Sequence, residues 1–384
     1  MNFDLTEEQK MVKETARKFA EREIMPFARE NDVKEHFPIE IFKKMAGLGF
    51  LGGPIPEKYG GAGLDFISDA IIFEEIGRAD SSLRTALSVQ VSLVGLTILK
   101  WGTEEQKQKY IPKLCKGELI GCFALTEPNA GSDAASILTS AALKGNEWIL
   151  NGTKTWISSG SIADIAIVFA VTDKTKGYHG ITAFIIEKGC PGFSTKDIKG
   201  KLGLRASNTA ELVFEDCRIS KNAVLGDIGK GFNIAMSALD NGRYGVASGC
   251  VGIIQGCIDA CARYAKERHQ FGKPIAGFQL IQDKIARMVV DCDAARLLVY
   301  RAGHLKNKGK VNTIETSIAK YFASEAANRA ASDAVQIFGG YGYSNEYPVE
   351  RYFRDAKVAT IYEGTSEIQK LIIGSHILGV KAFL

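Results

Sequence analysis

The chain has 384 residues, of which 46% are hydrophobic and 24% are charged. This composition excludes a mostly disordered chain, and the length favours two or three packed units. The net charge is +4, and the 48 basic and 44 acidic residues are interspersed without a long basic block, which argues against a nucleic-acid partner.

The N-terminus and the cysteines indicate where the protein works. Residues Met1 to Glu8 lack the charged and apolar regions of a secretory leader, and no uninterrupted apolar run approaches membrane-spanning length. The 8 cysteines form no CxxC pair, and the 5 histidines show no metal-ligand spacing. We therefore expect a cytoplasmic protein with no membrane span and no metal site.

The first region, residues 1–121, has the pattern of helices. Thr6 with Gln9, and Thr103 with Gln106, fit capping boxes in which the threonine caps an early amide and the glutamine reaches back. Residues 47–52 match the dinucleotide pattern GxGxxG, but a helical segment precedes them and two prolines follow. We interpret them as a glycine-rich loop.

The second region, residues 122–230, has short β-rich runs broken by Gly, Asn and Pro. Asn151-Gly152 lies between two alternating runs, which predicts a type I′ hairpin. Further strands are expected at residues 165–171, 182–187 and 211–214. The region therefore predicts a small β-domain.

In the third region, residues 231–384, apolar residues recur at helical spacing. One set includes Val246, Cys250 and Ile253, and a second includes Ile281 and Ile285. Long helices with such apolar stripes need partners, so the region predicts a helical bundle.

Five segments contain residue types that commonly bind ligands. They are residues 123–133, 156–158, 267–272, 336–342 and 361–369. The first is a turn-rich loop with hydroxyl groups, and the second places an aromatic ring beside a hydroxyl. The third and fourth end helices with an arginine and with glycines, and the fifth carries a glutamate before a helix start. Each alone has an ordinary structural interpretation.

Taken together and in this order, the five segments resemble the acyl-CoA dehydrogenase family over nearly the whole chain. The resemblance implies an α+β fold with an N-terminal helical domain (1–121), a middle β-barrel-like domain (122–230) and a C-terminal four-helix bundle (231–384). It also implies an FAD cofactor, an acyl-CoA substrate and an electron-transferring flavoprotein as partner. A homotetramer is implied as well, in which a neighbouring subunit completes the cofactor site.

The resemblance assigns roles to residues of this chain. Glu363 would be the base that removes the α-proton. Some members carry the base after the arginine that matches Arg243, but this chain has Tyr244 there. The residues that would bind FAD are Phe123, Leu125, Thr126, Ser132, Trp156, Ile157, Ser158, Arg268, Gln270, Phe271, Gln279, Gln336, Gly339, Gly340, Thr365 and Glu367. Those that would contact substrate are Arg84, Ser88, Ser132, Asp240, Arg243, Tyr362 and Gly364.

The chemistry agrees with a carboxylate base. Desaturation requires a proton to leave the α-carbon while a hydride leaves the β-carbon, so a base and a flavin must lie on opposite faces of the acyl chain. Burial would raise the pKa of Glu363 toward that of the bound thioester, and hydrogen bonds to the thioester carbonyl would stabilise the enolate.

Arg84 is the only charged residue between Ser81 and Leu99, and it bears on which acyl group the enzyme binds. A buried guanidinium needs an anionic partner, and this stretch resembles glutaryl-CoA dehydrogenase, in which an arginine binds the far carboxylate of the substrate. The alternative is a structural ion pair with Glu74 or Asp80. Decarboxylating members have an acid seven positions earlier, where this chain has Gly77, so the product would be glutaconyl-CoA rather than crotonyl-CoA.

Two further readings stay open. Residues 362–367 are closer to short-chain and butyryl-CoA dehydrogenases, so a short-chain enzyme is the main alternative to glutaryl-CoA. An enoyl-CoA reductase, a cyclic acyl-CoA dehydrogenase or a binding protein that has lost catalysis would share the same scaffold.

Overall fold

A computed structural model describes residues 4–382 of the chain. Met1 to Phe3, which belong to the stretch that lacks leader features, lie outside the described residues, as do Phe383 and Leu384. The order of elements is helices, then strands, then helices, as the sequence predicts.

The N-terminal part consists of helices around one apolar core that contains Phe19, Phe42 and Phe73. Both capping boxes are present, at Thr6 and Thr103. Residues 47–49 form a turn after a helix and Phe50–Gly52 a short 3-10 helix, so no strand precedes the glycines, in agreement with a glycine-rich loop. The helices are α1 (Glu7–Phe19), α2 (Met25–Lys34), α3 (Ile39–Ala46), α4 (Phe66–Ala79), α5 (Ser81–Ser88), α6 (Leu96–Trp101) and α7 (Glu104–Cys115).

Two helical junctions in this part have π-helical geometry that the periodicity did not predict. Ala20–Ile24 joins α1 to α2, and Val89–Gly95 joins α5 to α6. All seven residues of the second junction are buried. The extra residue per turn rotates the following helix, and such bulges often occur near functional sites.

The middle part is one mixed sheet of eight strands in the order β6-β7-β3-β2-β4-β5-β8, with β1 pairing parallel to β4. The strands expected at 165–171, 182–187 and 211–214 are all present. The bounds are β1 (Gly121–Ala124), β2 (Ser140–Lys144), β3 (Glu147–Ser158), β4 (Ile165–Val171), β5 (Ile181–Glu187), β6 (Phe193–Asp197), β7 (Thr209–Ser220) and β8 (Val224–Leu225).

The hairpin predicted at Asn151-Gly152 was wrong, because both residues lie inside the single strand β3. The register against β7 shifts between Leu150 and Gly152, which marks a bulge. Asn151 is held there because its side chain exchanges hydrogen bonds with Asp216 of β7, at 3.1 and 2.8 Å. The turn lies earlier, at Gly145, whose φ is +63°.

The C-terminal part packs α8 (Gly231–Glu267), α9 (Gln279–Asn307), α10 (Thr313–Phe338) and α12 (Ser366–Leu378) as long helices, with α11 (Val349–Val358) beside them. A two-stranded ribbon, β9 (His269–Gln270) and β10 (Lys273–Pro274), links α8 to α9. The apolar stripes read from the sequence form the shared core, which includes Cys250 and Cys257.

Two helical stretches have the length and hydropathy of a membrane span, Ser81–Trp101 and Gly231–Glu267. Within the protein, 89% and 72% of their most apolar windows are buried. Core helices of soluble proteins pass the same test, so these stretches are weak indicators of a membrane. Their burial places them between the domains, where they shape the site described next.

Candidate active site

Glu363 lies in the turn between α11 and α12. Thr365 caps α12 by accepting a hydrogen bond from the Ile368 amide at 3.3 Å, as expected for a helix start. Glu363 has a φ of +53° and Gly364 a φ of +90°. A non-glycine residue in the left-handed region costs on the order of 1 kcal/mol and is retained where surrounding contacts fix it. The turn is therefore held in place from outside.

Three buried side chains hold the carbonyl groups of this turn. Arg243 Nε of α8 donates a hydrogen bond to the Glu363 carbonyl at 3.3 Å. Gln369 Nε2 of α12 donates to the Gly364 carbonyl at 2.9 Å, and Lys320 Nζ of α10 donates to the same carbonyl at 2.7 Å. The three donors come from three different helices, so the backbone conformation at Glu363 is fixed by the bundle.

Glu363 is half-buried, and one oxygen of its carboxyl group points into the protein. Its Oε2 atom is shielded from solvent and has no hydrogen-bond partner among the described residues. It lies so close to Gly242 of α8 that a Cβ there would stand 1.7 Å from it. Burial raises the pKa of Glu363 to about 7, against the lowering effect of Arg84, Lys320 and Arg243. A carboxyl group in this state can accept a proton at neutral pH.

Tyr244, at the alternative base position, uses its hydroxyl in a hydrogen bond to another part of the chain. It is buried, and its hydroxyl donates to the Phe66 carbonyl at 2.5 Å. Burial raises its pKa well above the ordinary value. A general base must be deprotonated at the working pH and must have an acceptor atom that is not already hydrogen-bonded. Glu363 meets both conditions better than Tyr244.

Arg84 of α5 reaches the same site and has no acidic partner among residues 4–382. It is 1% exposed, and its Nη2 donates to the Tyr362 hydroxyl at 2.5 Å, while its Nε is unpaired. The Ser88 hydroxyl, one turn further along the helix, is also buried and unpaired. Two polar groups are thus left without partners within the described chain.

The structural alternative for Arg84 is not what the structure shows. Glu74 pairs with Arg296 of α9 at 2.9 Å. Asp80 caps α5 by accepting from the Ser82 and Leu83 amides at 2.6 and 3.2 Å. Both acids bind other groups, and neither forms an ion pair with Arg84.

Closely packed glycines limit the space behind Arg84. A Cβ on Gly249 of α8 would stand 2.4 Å from Arg84 Nε, and a Cβ on Gly77 of α4 would stand 2.9 Å from the Gly249 carbonyl oxygen. The two helix backbones therefore touch, and no side chain fits at position 77. This contact explains why an acid at position 77 has no room.

Of the other residues expected to contact substrate, all but Ser132 lie in the turn or connect to it. Arg243 is ion-paired with Asp240 at 2.9 Å, and Asp240 also accepts from the Thr313 hydroxyl at 2.7 Å. Tyr362 and Gly364 flank Glu363 in the same turn. Ser132 is exposed on the loop between β1 and β2.

The first group of residues expected to bind the cofactor surrounds the ends of β1 and β3. Phe123 and Leu125 are buried, and Thr126 is half-buried. The Thr155 amide donates to the Thr126 carbonyl at 2.9 Å, which fixes the loop against β3. Trp156 is 61% exposed with a φ of +60°. Ile157 is buried and Ser158 half-buried beside it.

A buried ion pair that the sequence did not reveal holds this loop. Lys154 is fully buried, and its Nζ lies 2.7 Å from Glu127 Oε1 and 3.1 Å from the Leu125 carbonyl. Glu127 also accepts from the Leu138 and Thr139 amides. An exposed indole and a half-buried hydroxyl on so rigid a support suit the face and edge of a flat ring.

The second group lies on the surface at the ends of the long helices. The guanidinium of Arg268 lies 5.6 Å from the Tyr341 ring centroid, and no acid pairs with it among the described residues. Phe271 is 93% exposed. The space around Gly339 and Gly340 is open on the side where a Cβ would project. The exposed members of the group are Arg268, Gln270, Phe271, Gln279, Gln336, Gly339, Gly340 and Glu367.

Lys320 and Gln369 were missed because the sequence does not show which helices meet the turn. A signal for Lys320 was nevertheless present, since it is a lone charge in the alanine-rich face of α10. The argument that drew attention to Arg84 applies to it equally.

Comparisons with known proteins agree with this geometry. Three family models match in order: "Acyl-CoA dehydrogenase, N-terminal domain" over residues 6–118, the middle domain over 122–217 and the C-terminal domain over 229–378. The "Acyl-CoA dehydrogenase, short-chain specific" of Clostridium acetobutylicum is 48% identical over 377 residues, covering 98% of this chain and 100% of that protein.

Two further proteins bear on the substrate. The "Acryloyl-CoA reductase (NADH)" of Anaerotignum propionicum is 48% identical over 98% of this chain and 96% of its own length. A glutaryl-CoA dehydrogenase solved with glutaryl-CoA is 43% identical, covers 99% of this chain and 98% of that one, and has a TM-score of 0.96. The comparisons therefore support the short-chain alternative better than the glutaryl-CoA expectation.

Proposed function

The chain belongs to the acyl-CoA dehydrogenase family, and we propose that it oxidises short acyl-CoA thioesters between the α- and β-carbons, with Glu363 as the base. One observation carries the assignment of the base. The Oε2 atom of Glu363 is shielded from solvent and unpaired among the described residues, and the pKa of the carboxyl group is raised to about 7. A side chain with these properties is costly to bury unless it has a task at that position.

Residues in and around the turn have different roles in the proposed removal of the proton. The carboxylate of Glu363 takes the α-proton, and Gly242 leaves the space in which that carboxylate lies. By similarity to the family, the backbone amide of Glu363 would donate to the thioester carbonyl. Arg243, Gln369 and Lys320 fix the turn, so this amide and the carboxylate keep one relative orientation.

FAD is the cofactor of this family and supplies the acceptor for the hydride that leaves the β-carbon. The residues present fit it. Trp156 and Thr126 offer a ring face and a hydroxyl on a rigid loop, and the cation of Arg268 is free to meet a phosphate. The onward electron acceptor that we propose is an electron-transferring flavoprotein, on the family resemblance.

Glutaryl-CoA is the second candidate substrate, and Arg84 is the observation that favours it. The guanidinium of Arg84 is buried and its Nε is unpaired, so it lacks an anionic partner within the described chain. The carboxylate at the far end of a glutaryl group would complete its hydrogen bonds, with help from Ser88. Oxidation would then stop at glutaconyl-CoA, because position 77 has no acid and no room for one.

Replacing Arg84 by methionine separates the two substrates. The measurement is anaerobic reduction of the bound flavin by butyryl-CoA and by glutaryl-CoA, each with wild type and Arg84→Met. If the pocket binds a carboxylate, the variant loses glutaryl-CoA reduction by about 100-fold, the scale of a buried charged hydrogen bond, and keeps butyryl-CoA within a few-fold.

Each of the two substrate proposals would be contradicted by a different result. Equal loss with both substrates would show that Arg84 acts through Tyr362 and not on a carboxylate. Failure of wild type to react with either compound would reject the short-chain proposal itself.

A further inference from the structure

Lys320 is a buried lysine without an acidic partner, placed beside the catalytic turn. It is 0% exposed on α10, and within residues 4–382 its ammonium donates one hydrogen bond, to the Gly364 carbonyl at 2.7 Å. No ion pair within residues 4–382 includes it. A neutral carbonyl is a poor compensation for burying a full positive charge, so this lysine needs another reason to be there.

Two acids stabilise the charge of Lys320, and Glu363 acts on it more strongly than Glu325. On its own helix, Glu325 accepts from the Ser366 hydroxyl at 2.6 Å and is therefore engaged with the start of α12. On α8, Arg243 repels Lys320 and the Cys250 thiol faces it. Arg84 of α5 also stabilises the Glu363 carboxylate, and it donates a hydrogen bond to the Tyr362 hydroxyl. The stronger of the two is Glu363, the residue next to the carbonyl that Lys320 binds.

We propose that Lys320 is a positioning residue for the dehydrogenation, which holds the turn that bears Glu363 and keeps its carboxylate charged in a buried site. The inference rests on the proposed function of Glu363 and assigns it a partner. Lys320 does not touch the reacting carbons; it acts through the Gly364 carbonyl and through its charge.

The direction of the electrostatic effect can be worked out. Burial raises the pKa of Glu363 to about 7, and Lys320 lowers it because a nearby cation stabilises the carboxylate. Burial also lowers the pKa of Lys320 itself to about 8, so the lysine is still charged where the base ionises. Removing the ammonium must therefore raise the pKa of Glu363 and move the acid limb of the rate to higher pH.

Three variants separate charge from packing. Lys320→Met removes both the charge and the hydrogen bond, and Lys320→Arg keeps the charge. Gln369→Leu removes an uncharged donor to the same Gly364 carbonyl and is the matched control. Each is purified with FAD bound, and the rate of flavin reduction by butyryl-CoA is measured anaerobically from pH 5.5 to 9.

The acid limb is expected to move up by about one pH unit in Lys320→Met and to return toward the wild-type position in Lys320→Arg. Gln369→Leu is expected to lower the rate without moving the limb. If Lys320→Met does not fold, Lys320→Gln carries the same expectation.

A direct titration provides a readout that does not depend on turnover. Infrared difference spectra against Glu363→Gln follow the protonated carboxyl band of Glu363 in each holoenzyme. An unchanged midpoint in Lys320→Met, or an equal shift in Gln369→Leu, would overturn the role of Lys320. Full activity of Glu363→Gln would instead overturn the proposed function, so the two failures are distinguishable.

Discussion

The base turn and the surface expected to bind the FAD phosphates are built in opposite ways. Around Glu363 the polar groups are buried, and donors from three helices fix the backbone. At Arg268, Phe271 and Gly340 the groups are exposed, and the glycine has open space beside it. The proposed base is thus held by contacts within one chain, while the expected phosphate surface is open to further contacts. Substitutions should affect the two regions differently.

The largest effect is expected from Glu363→Gln. The amide keeps the shape of the side chain but cannot accept the α-proton, so flavin reduction by butyryl-CoA should fall by about 1,000-fold or more. FAD content should be unchanged, because Glu363 belongs to the buried region. Stopped-flow absorbance under anaerobic conditions measures the rate, and loss of the flavin along with the rate would mean that the two regions are not separable.

Gly242→Ala should have the next largest effect. The new methyl group would overlap Glu363 Oε2, which lies 1.7 Å from the position of a Cβ. Displacing the carboxylate by about an ångström should cost roughly 100-fold in the rate of flavin reduction. Gly374→Ala, which meets nothing within 4 Å, is the control and should react at the wild-type rate. A wild-type rate for Gly242→Ala would show that the base does not lie there during reaction.

Arg268→Ala probes the exposed region and should have a smaller effect of a different kind. Loss of one charged hydrogen bond to a phosphate should weaken FAD binding by about tenfold or somewhat more. With FAD in excess, the acid limb of the rate should stay where it is in wild type. Arg218→Ala, an exposed arginine on β7, is the control. Unaltered FAD affinity in Arg268→Ala would remove this arginine from the cofactor site.

Much of the fold followed from local sequence signals. The two capping boxes, the apolar stripes of α8 and α9 and the strand at 165–171 depend on neighbouring residues, and all are present. The hairpin at Asn151 failed because a side chain 65 positions away, Asp216, decides the conformation there. The Asn-Gly pair does mark an irregularity in the backbone, but the irregularity is a bulge within β3 and not a turn.

The sequence allowed the reactive residues of the site to be predicted, but not the contacts that hold them in place. The motif around Glu363 and the lone charge of Arg84 were visible along the chain. The hydrogen bond from Lys320 to a carbonyl 44 positions later, and the ion pair of Lys154 with Glu127 across the β-domain, depend on how distant elements pack. Such contacts can be identified only from the structure. A lone charged residue in an apolar stretch of sequence nevertheless indicates where to look for them.

The central claim is that Glu363 removes the α-proton, and acetyl-CoA tests it most directly. Acetyl-CoA has α-hydrogens but no β-carbon, so proton removal can occur without hydride transfer. Wild-type holoenzyme in deuterated water should exchange the acetyl hydrogens for deuterium, followed by NMR, and Glu363→Gln with its flavin bound should leave them unexchanged. Exchange at the wild-type rate in Glu363→Gln would contradict the account.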